Sequence, residues 1–291
     1  MKRWLVLALV VLAANAQAQS PTLMHVHGLA WSADGKRLMI PSHHGLAIYE
    51  NGEWSKAAGP QHDYMGFSAT ARHLYSSGHP APGAGFTNPF GLIRSKDGGK
   101  TWEKLGLEGE TDFHLLATGW NTNAIYVWNP EPSSRMRRIG LHCTFNDGRT
   151  WSAARAAGLE GEPHALAVHP DDPKTVAVAT SDGVYLSRDA GERFQAVATG
   201  VQGLSVFFDL NGRDLLYGAY SGRPVLMRAP LGPAKSQQLG LPPLRNDAVA
   251  YIAQNPASRQ QYAIATFERS VYVSRDAGRT WAMLAERGKA H

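Results

Sequence analysis

The sequence predicts an all-β chain folded as a six-bladed β-propeller. Three observations carry this: a turn box that recurs at a regular period, two families of short apolar strands at constant offsets from that box, and the lack of any stretch with sustained helical periodicity and caps. The composition permits such a fold. Of 291 residues, 43% are hydrophobic and 18% charged, which excludes a disordered chain, while Gly 30 and Pro 17 supply turns without reaching low complexity.

The box reads Ser-Lys-Asp-Gly-Gly-Lys-Thr-Trp from Ser95 to Trp102. It recurs from Thr144 to Trp151, from Ser187 to Phe194 and from Ser274 to Trp281, with degenerate copies at Tyr49 to Trp54 and around Met227 to Pro230. The last full gap is about twice the others, so one period is roughly 45 residues, the length of four short strands with their turns. Each box follows a strand of one pattern, as in Gly45-Leu-Ala-Ile, Gly91-Leu-Ile-Arg and Gly183-Val-Tyr-Leu. A second strand family opens each repeat, as in His27-Gly-Leu-Ala, His114-Leu-Leu-Ala and His164-Ala-Leu-Ala. The blades are expected at about 25–58, 59–106, 107–155, 156–199, 200–241 and 242–286 of a single propeller spanning 19–291, to which Pro21 to Met24 could add an edge strand.

These boxes resemble the Asp-box (BNR) repeat of sialidases, sortilin-type propellers and photosystem assembly-factor propellers. His164-Ala-Leu-Ala-Val-His-Pro-Asp-Asp-Pro, followed by Ser181-Asp-Gly-Val-Tyr-Leu-Ser-Arg-Asp-Ala-Gly, is most similar to the sortilin-type version. The resemblance implies that the box closes the hairpin between third and fourth strands. The carboxylates of Asp97, Asp147, Asp189 and Asp276 would then accept backbone N–H groups in that turn, and Trp102, Trp151, Phe194 and Trp281 would pack between blades.

The first residues read as an export signal, and the chain is expected to be periplasmic or secreted. Lys2 and Arg3 precede an apolar run from Trp4 to Ala14 and a small-x-small site at Ala16-Gln17-Ala18, so cleavage is expected after residue 18. The run is too short for a stable membrane anchor. Two of the five net positive charges belong to this segment, and no Lys/Arg block remains that would track a phosphate backbone, so nucleic acid is not an expected partner. Cys143 is the single cysteine, which excludes an internal disulfide and multi-cysteine metal sites, and its strand neighbours mark it as a packing residue. A monomer is expected.

Function is sought among the histidines. In a four-stranded blade, the segments entering the first strand share a face with the loops joining second to third. Of the 12 histidines, His25, His27, His62, His114 and His164 fall in the former and His43, His44 and His79 in the latter, with Met24, Met65, Asp63 and Tyr64 beside them. His25 and His27 have the i, i+2 spacing that puts two imidazoles on one side of an extended strand. Imidazoles with optional thioethers and no thiolate suit copper, with zinc second. The expected ligands come from His25, His27, His43, His44, His79, His114, His164 and Met65; His62 could merely flank the loop. The Gly-rich segment from Pro80 to Phe86 is expected to form a flexible lid near His79.

An enzyme is the weaker expectation. The Arg-bearing Phe/Tyr-Arg-Ile-Pro element of sialidases is absent near Met39-Ile40-Pro41, and no nucleophile elbow, Walker loop or His-Glu-x-x-His occurs. Asp63, Asp112, Glu162, Asp182 and Glu268 are the carboxylates that could line the channel of a glycosyl hydrolase-like enzyme. The other alternative is a scaffold that binds a peptide or protein partner across the top face.

Overall fold

The computed structural model describes residues 21–291; the expected export signal lies outside the described residues. Short strands bounded by Gly, Asn and Asp turns build six antiparallel sheets in chain order, each running outward from the innermost strand. Blade 1 comprises β1 (Ala30–Trp31), β2 (Arg37–Ser42), β3 (Gly45–Glu50) and β4 (Glu53–Lys56). Blade 2 comprises β5 (Asp63–Ala69), β6 (Leu74–His79), β7 (Leu92–Ser95) and β8 (Glu103–Gly106). Blade 3 comprises β9 (Leu116–Thr118), β10 (Ile125–Asn129), β11 (Gly140–Thr144) and β12 (Ser152–Ala153). Blade 4 comprises β13 (Pro163–Val168), β14 (Val176–Thr180), β15 (Gly183–Ser187) and β16 (Gln195–Thr199). Blade 5 comprises β17 (Gln202–Phe208), β18 (Asp214–Tyr220), β19 (Pro224–Pro230) and β20 (Gln237–Leu239). Blade 6 comprises β21 (Val249–Asn255), β22 (Ser258–Thr266), β23 (Val271–Ser274), β24 (Ala282–Glu286) and a fifth strand, β25 (Lys289–Ala290).

The innermost strands β1, β5, β9, β13, β17 and β21 touch their neighbours in a closed ring. They enclose a narrow channel of about 160 Å3 lined by Leu29, Phe67, Leu116, Leu166, Val206 and Ile252 among others. Apolar clusters fill the gaps between adjacent blades, so the core is distributed around the ring. The ring closes through both ends of the described chain. Thr22 forms an antiparallel bridge with Lys289, and Leu23 N–H donates to Gly288 O at 2.8 Å. Leu23 is fully buried among Leu38, Trp54 and Val271. The segment from Pro21 to Met24 thus bridges to β25, at the outer edge of blade 6.

The Asp boxes form the expected β3–β4-type turns. Asp97 Oδ1 accepts the Lys100 and Thr101 amides at 3.1 and 2.9 Å and the Ser95 hydroxyl at 2.8 Å, while Oδ2 accepts the Thr101 hydroxyl at 2.6 Å. Asp276 repeats this with Arg279, Thr280 and Ser274. Burial pushes the Asp97 carboxyl up, but the donors from Thr101, Ser95 and Lys100 outweigh it and hold the group at about 2, below its ordinary 3.8. A carboxyl depressed on folding stabilises the fold above the unfolded value and loses that contribution as pH falls through the folded one. Thermal melts across pH 4 to 2 are therefore expected to show a smaller loss of stability for Asp97→Asn than for the parent chain. Identical curves would contradict the role given to the carboxylate.

Asp147 corrects the expectation drawn from the resemblance. In the blade 3 box it is Asn146 Oδ1 that accepts Thr150 N–H at 3.0 Å and the Thr144 hydroxyl at 2.9 Å. Asp147 instead occupies the next turn position at φ 57°, where the other boxes have Gly98, Ala190 and Ala277 at similar positive φ. Its carboxylate reaches back to blade 2, meeting Arg94 Nη1 at 2.7 Å and accepting Tyr75 O–H at 2.8 Å. The box aromatics behave as expected: Trp102 packs 5.1 Å from Tyr64, and Trp281 Nε1–H donates to Gly240 O.

Cys143 is buried beside Tyr126 in the cluster between blades 3 and 4. Burial pushes its thiol up to about 11, which leaves almost no thiolate at neutral pH. A thiol reagent is expected to label Cys143 only after denaturant unfolds the chain. Rapid labelling of the native protein would place the residue outside the core.

Candidate metal centre

Three strand-end segments from blades 1 and 2 bring a set of donor atoms together. The first is the segment entering β1. His27 N–H donates to Pro41 O at 3.1 Å, which lays this segment against β2, and Gly28 passes so close to Pro41 and Phe67 that a Cβ there would crowd both. The second is the two-residue turn between β2 and β3, in which Ser42 pairs with Gly45 and leaves His43 and His44 at the tip. Gly45, at φ 91°, donates its N–H to His62 O at 3.0 Å and docks the turn on blade 2. The third is the first residue of β5, Asp63.

One ligand atom each from His27, His43 and Asp63 lies within 4.8 Å of the other two. Among the described residues this is the one such group of three His, Cys or carboxylate side chains. His43 Nδ1 stands 2.7 Å from Asp63 Oδ1, while His27 Nε2 is shielded from solvent without a hydrogen-bonded partner. A buried polar atom left unpaired costs roughly 1–3 kcal/mol, so the His27 nitrogen needs a physical reason. His27 is held down at about 4, first by burial and then by His43, against the opposing pull of Asp63 and with smaller contributions from His25 and His114. The imidazole is therefore neutral at physiological pH and keeps a lone pair for a cation. His25 adjoins the group, its ring centroid 4.5 Å from that of His43 and 6.1 Å from that of His27 in parallel stacking.

The i, i+2 argument for His25 and His27 reached the right side of the chain for the wrong reason. The segment is not a ladder strand: β1 begins at Ala30, and His25 has φ 60°. A left-handed residue, and not strand alternation, turns the two rings to the same side.

A second group joins the end of β6 to the segment entering β9. Asp112 Oδ2 stands 3.0 Å from His114 Nε2 and 3.3 Å from His79 Nε2. His79 Nδ1 is 2.7 Å from Asn88 Oδ1. The hydrogen bond accepted by Asp112 raises the His114 imidazole, and burial opposes it. The Ser77 hydroxyl accepts Phe113 N–H at 2.9 Å and donates to Gly91 O, which fixes the Asp112–His114 segment to blade 2.

The other expected residues are placed elsewhere. His44 is exposed and faces a hollow with Pro21, Thr22, Met24 and Lys56, because neighbouring side chains at a hairpin tip diverge. His164 lines the channel mouth, with Nδ1 2.8 Å from Gly203 O. Met65 is half-buried where the register of β5 with β6 shifts between Tyr64 and Phe67. His62 is 0% exposed, ringed by Tyr64, Phe86 and Phe90 at 5.3–5.4 Å, and accepts Ala81 N–H at 2.9 Å. Burial lowers it to about 4, and it serves as a core anchor. The same contacts correct the lid expectation: Phe86 and Phe90 pin the Gly-rich segment down. Of the channel carboxylates, Glu268 pairs with Arg287 at 2.9 Å, while Asp63 and Asp112 turn to histidines. Asp63 and Asp112 are the donors that the sequence reading left out of its ligand set.

The family model for the BNR/Asp-box repeat matches residues 93–104, across β7 and its turn. Five four-stranded blades and one of five strands surround one channel, and the matched residues form one of their turns. The chain is a six-bladed β-propeller with Asp-box turns. Among solved structures, this propeller resembles the GH74 enzyme of Niastella koreensis at a TM-score of 0.63 and 14% identity, over 92% of this chain and 46% of that one. An ancestral GH74 enzyme matches at 0.54 and 13%, over 92% and 39%. The structure of YCF48 bound to a D1 peptide matches at 0.51 and 16%, over 91% and 82%. The propeller spans less than half the length of either GH74 enzyme, and at these identities the likeness is one of fold alone. No curated protein matches the sequence.

Proposed function

We propose that the chain is an exported propeller that binds a divalent transition metal, copper(II) first and zinc second, through His27, His43 and Asp63, and handles the ion without catalysing a reaction. The observation that carries this reading is the convergence of three donor atoms within 4.8 Å of one another, one of them the buried and unpaired His27 Nε2. Two imidazoles and a carboxylate without sulfur favour the oxidised, divalent state of copper over copper(I), and copper(II) heads the affinity order for N/O sites. His25 adjoins the group as a further imidazole donor. The mouth itself is a cavity of about 780 Å3 lined by His25, His27, His114 and His164, wide enough to admit a hydrated ion. Calorimetric titration of the apo-protein with copper(II), then with zinc in competition, tests the reading. Saturable binding that zinc displaces only in excess supports it, and a silent titration with both ions overturns it.

A second reading, a face that binds a partner protein, is favoured by the cleft over blades 5 and 6. This cleft of about 860 Å3 is lined by Tyr220, Arg223, Leu244, Arg245 and Phe267. Tyr220 and Phe267 are 45% and 57% exposed, and neither arginine belongs to an ion pair among the described residues. Such a lining suits an extended acidic segment with an apolar side chain. The YCF48 structure holds a peptide, which lends the reading support at the level of fold. Loss of a captured acidic peptide in Arg223→Glu with Arg245→Glu would be its test; unchanged capture would sink it.

A further inference from the structure

We propose that His79, Asp112 and His114 form a second metal-binding site, so that the propeller takes up two transition-metal ions next to each other on blade 2. The proposal extends the reading of the first site to a neighbouring set of side chains.

His79 Nδ1 lies 2.7 Å from Asn88 Oδ1, a carbonyl oxygen that can only accept, so the proton of neutral His79 is on Nδ1. His79 Nε2 then carries a lone pair, and it faces Asp112 Oδ2, itself an acceptor, at 3.3 Å. Two lone pairs at that distance repel, and a proton or a metal ion between them relieves the repulsion. His114 Nε2 approaches the same oxygen at 3.0 Å from another direction. The other oxygen of Asp112, Oδ1, is shielded from solvent and has no partner. A metal ion accepts all of these groups at once: two imidazole nitrogens, a carboxylate, and an outer amide that orients the first imidazole by its other nitrogen. Outer partners of this kind accompany most metal-bound histidines.

The set is more open than the first. Its three donors do not fall within the 4.8 Å spacing that unites His27, His43 and Asp63. His79 and His114 are 43% and 64% exposed at their side chains, however, so either ring can rotate onto an ion arriving from solvent. Proximity follows from register. Asp63 of the first group pairs directly with His79 of the second across β5 and β6, and directly opposed residues carry Cβ atoms about 4.5–5.5 Å apart on one face of the sheet. The two groups therefore lie side by side on blade 2, and an ion held by one is a short step from the other.

Metal content after dialysis against excess copper(II) and desalting tests the proposal on the full chain. Two ions per chain are expected for the parent, one for His27→Ala with His43→Ala, one for His79→Gln with Asp112→Asn, and none for all four changes together. Circular dichroism checks each fold, and His44→Ala serves as a surface-histidine control expected to keep two. One ion in the parent, lost with His27 and His43 but indifferent to His79 and Asp112, would overturn the second site and leave the first standing. One ion lost only with His79 and Asp112 would overturn the first instead. Two ions that survive the His79/Asp112 pair would place the second ion elsewhere and overturn the proposal.

Discussion

Replacing His27 by alanine is expected to abolish copper-dependent stabilisation of the propeller. A ligand that binds only the folded state at 100 times its dissociation constant stabilises by about 2.7 kcal/mol. For a chain of this size each kcal/mol moves the melting temperature by roughly 2–4 °C, so the parent should gain about 5–10 °C on copper loading. His27 supplies the one imidazole nitrogen of the group that is buried, unpaired and held neutral. Without it the ion keeps only His43 and Asp63, and affinity should fall by roughly 100-fold or more. The melting temperature of His27→Ala should then be indifferent to copper at the concentration that saturates the parent. A full copper-induced rise in His27→Ala would remove this residue from the account. Asp63→Asn is expected to weaken binding while keeping the fold, since the amide matches the carboxylate in size but supplies no charge.

The second large effect lies far from the histidines. Asp209 is buried between blades 5 and 6, where it accepts Tyr262 O–H at 2.5 Å, Gln254 Nε2–H at 3.0 Å and Asn211 N–H at 2.9 Å. Gln254 in turn accepts Leu210 N–H at 2.7 Å and donates to Arg259 O at 2.7 Å, which joins the β17–β18 and β21–β22 turns. Cutting Asp209 to alanine strands the Tyr262 hydroxyl and one Gln254 proton in a place that water does not reach. Removing one member of such a network costs on the order of 3 kcal/mol, so the melting temperature of Asp209→Ala should drop by roughly 6–12 °C. Copper binding at the opposite end of the channel should persist below that temperature. A drop of a degree or two would mean that the turns are held by something other than this network.

The fold was legible in the sequence because turn chemistry repeats. Ser, Asp and Gly at fixed offsets satisfy the same backbone donors in each box, and the aromatic that follows fills the same gap between blades. Reading failed where a letter was matched in place of a position. Asp147 is an Asp inside a box, but the residue that does the box's work is Asn146, because an amide oxygen accepts the same N–H groups. Asp147 was thereby free to tie Arg94 and Tyr75 of the neighbouring blade.

The site was legible only in part. Propeller topology sent His27, His43, His79, His114 and His164 to one end of the channel, and spacing could say no more than that. Which of His43 and His44 turns inward depends on the twist of a two-residue turn, and His62 was taken into the core by three aromatic rings that no local pattern links to it. The decisive carboxylates, Asp63 and Asp112, look like any loop acid in the sequence. They stand out only once folding sets each against an imidazole from another segment.

The most direct test of the central claim is a crystal structure of the copper-loaded protein with diffraction collected across the copper absorption edge. The account predicts an anomalous peak bonded to His27, His43 and Asp63, at about 2 Å from the ligand atoms. A peak elsewhere on the chain, or none under saturating copper, would contradict it.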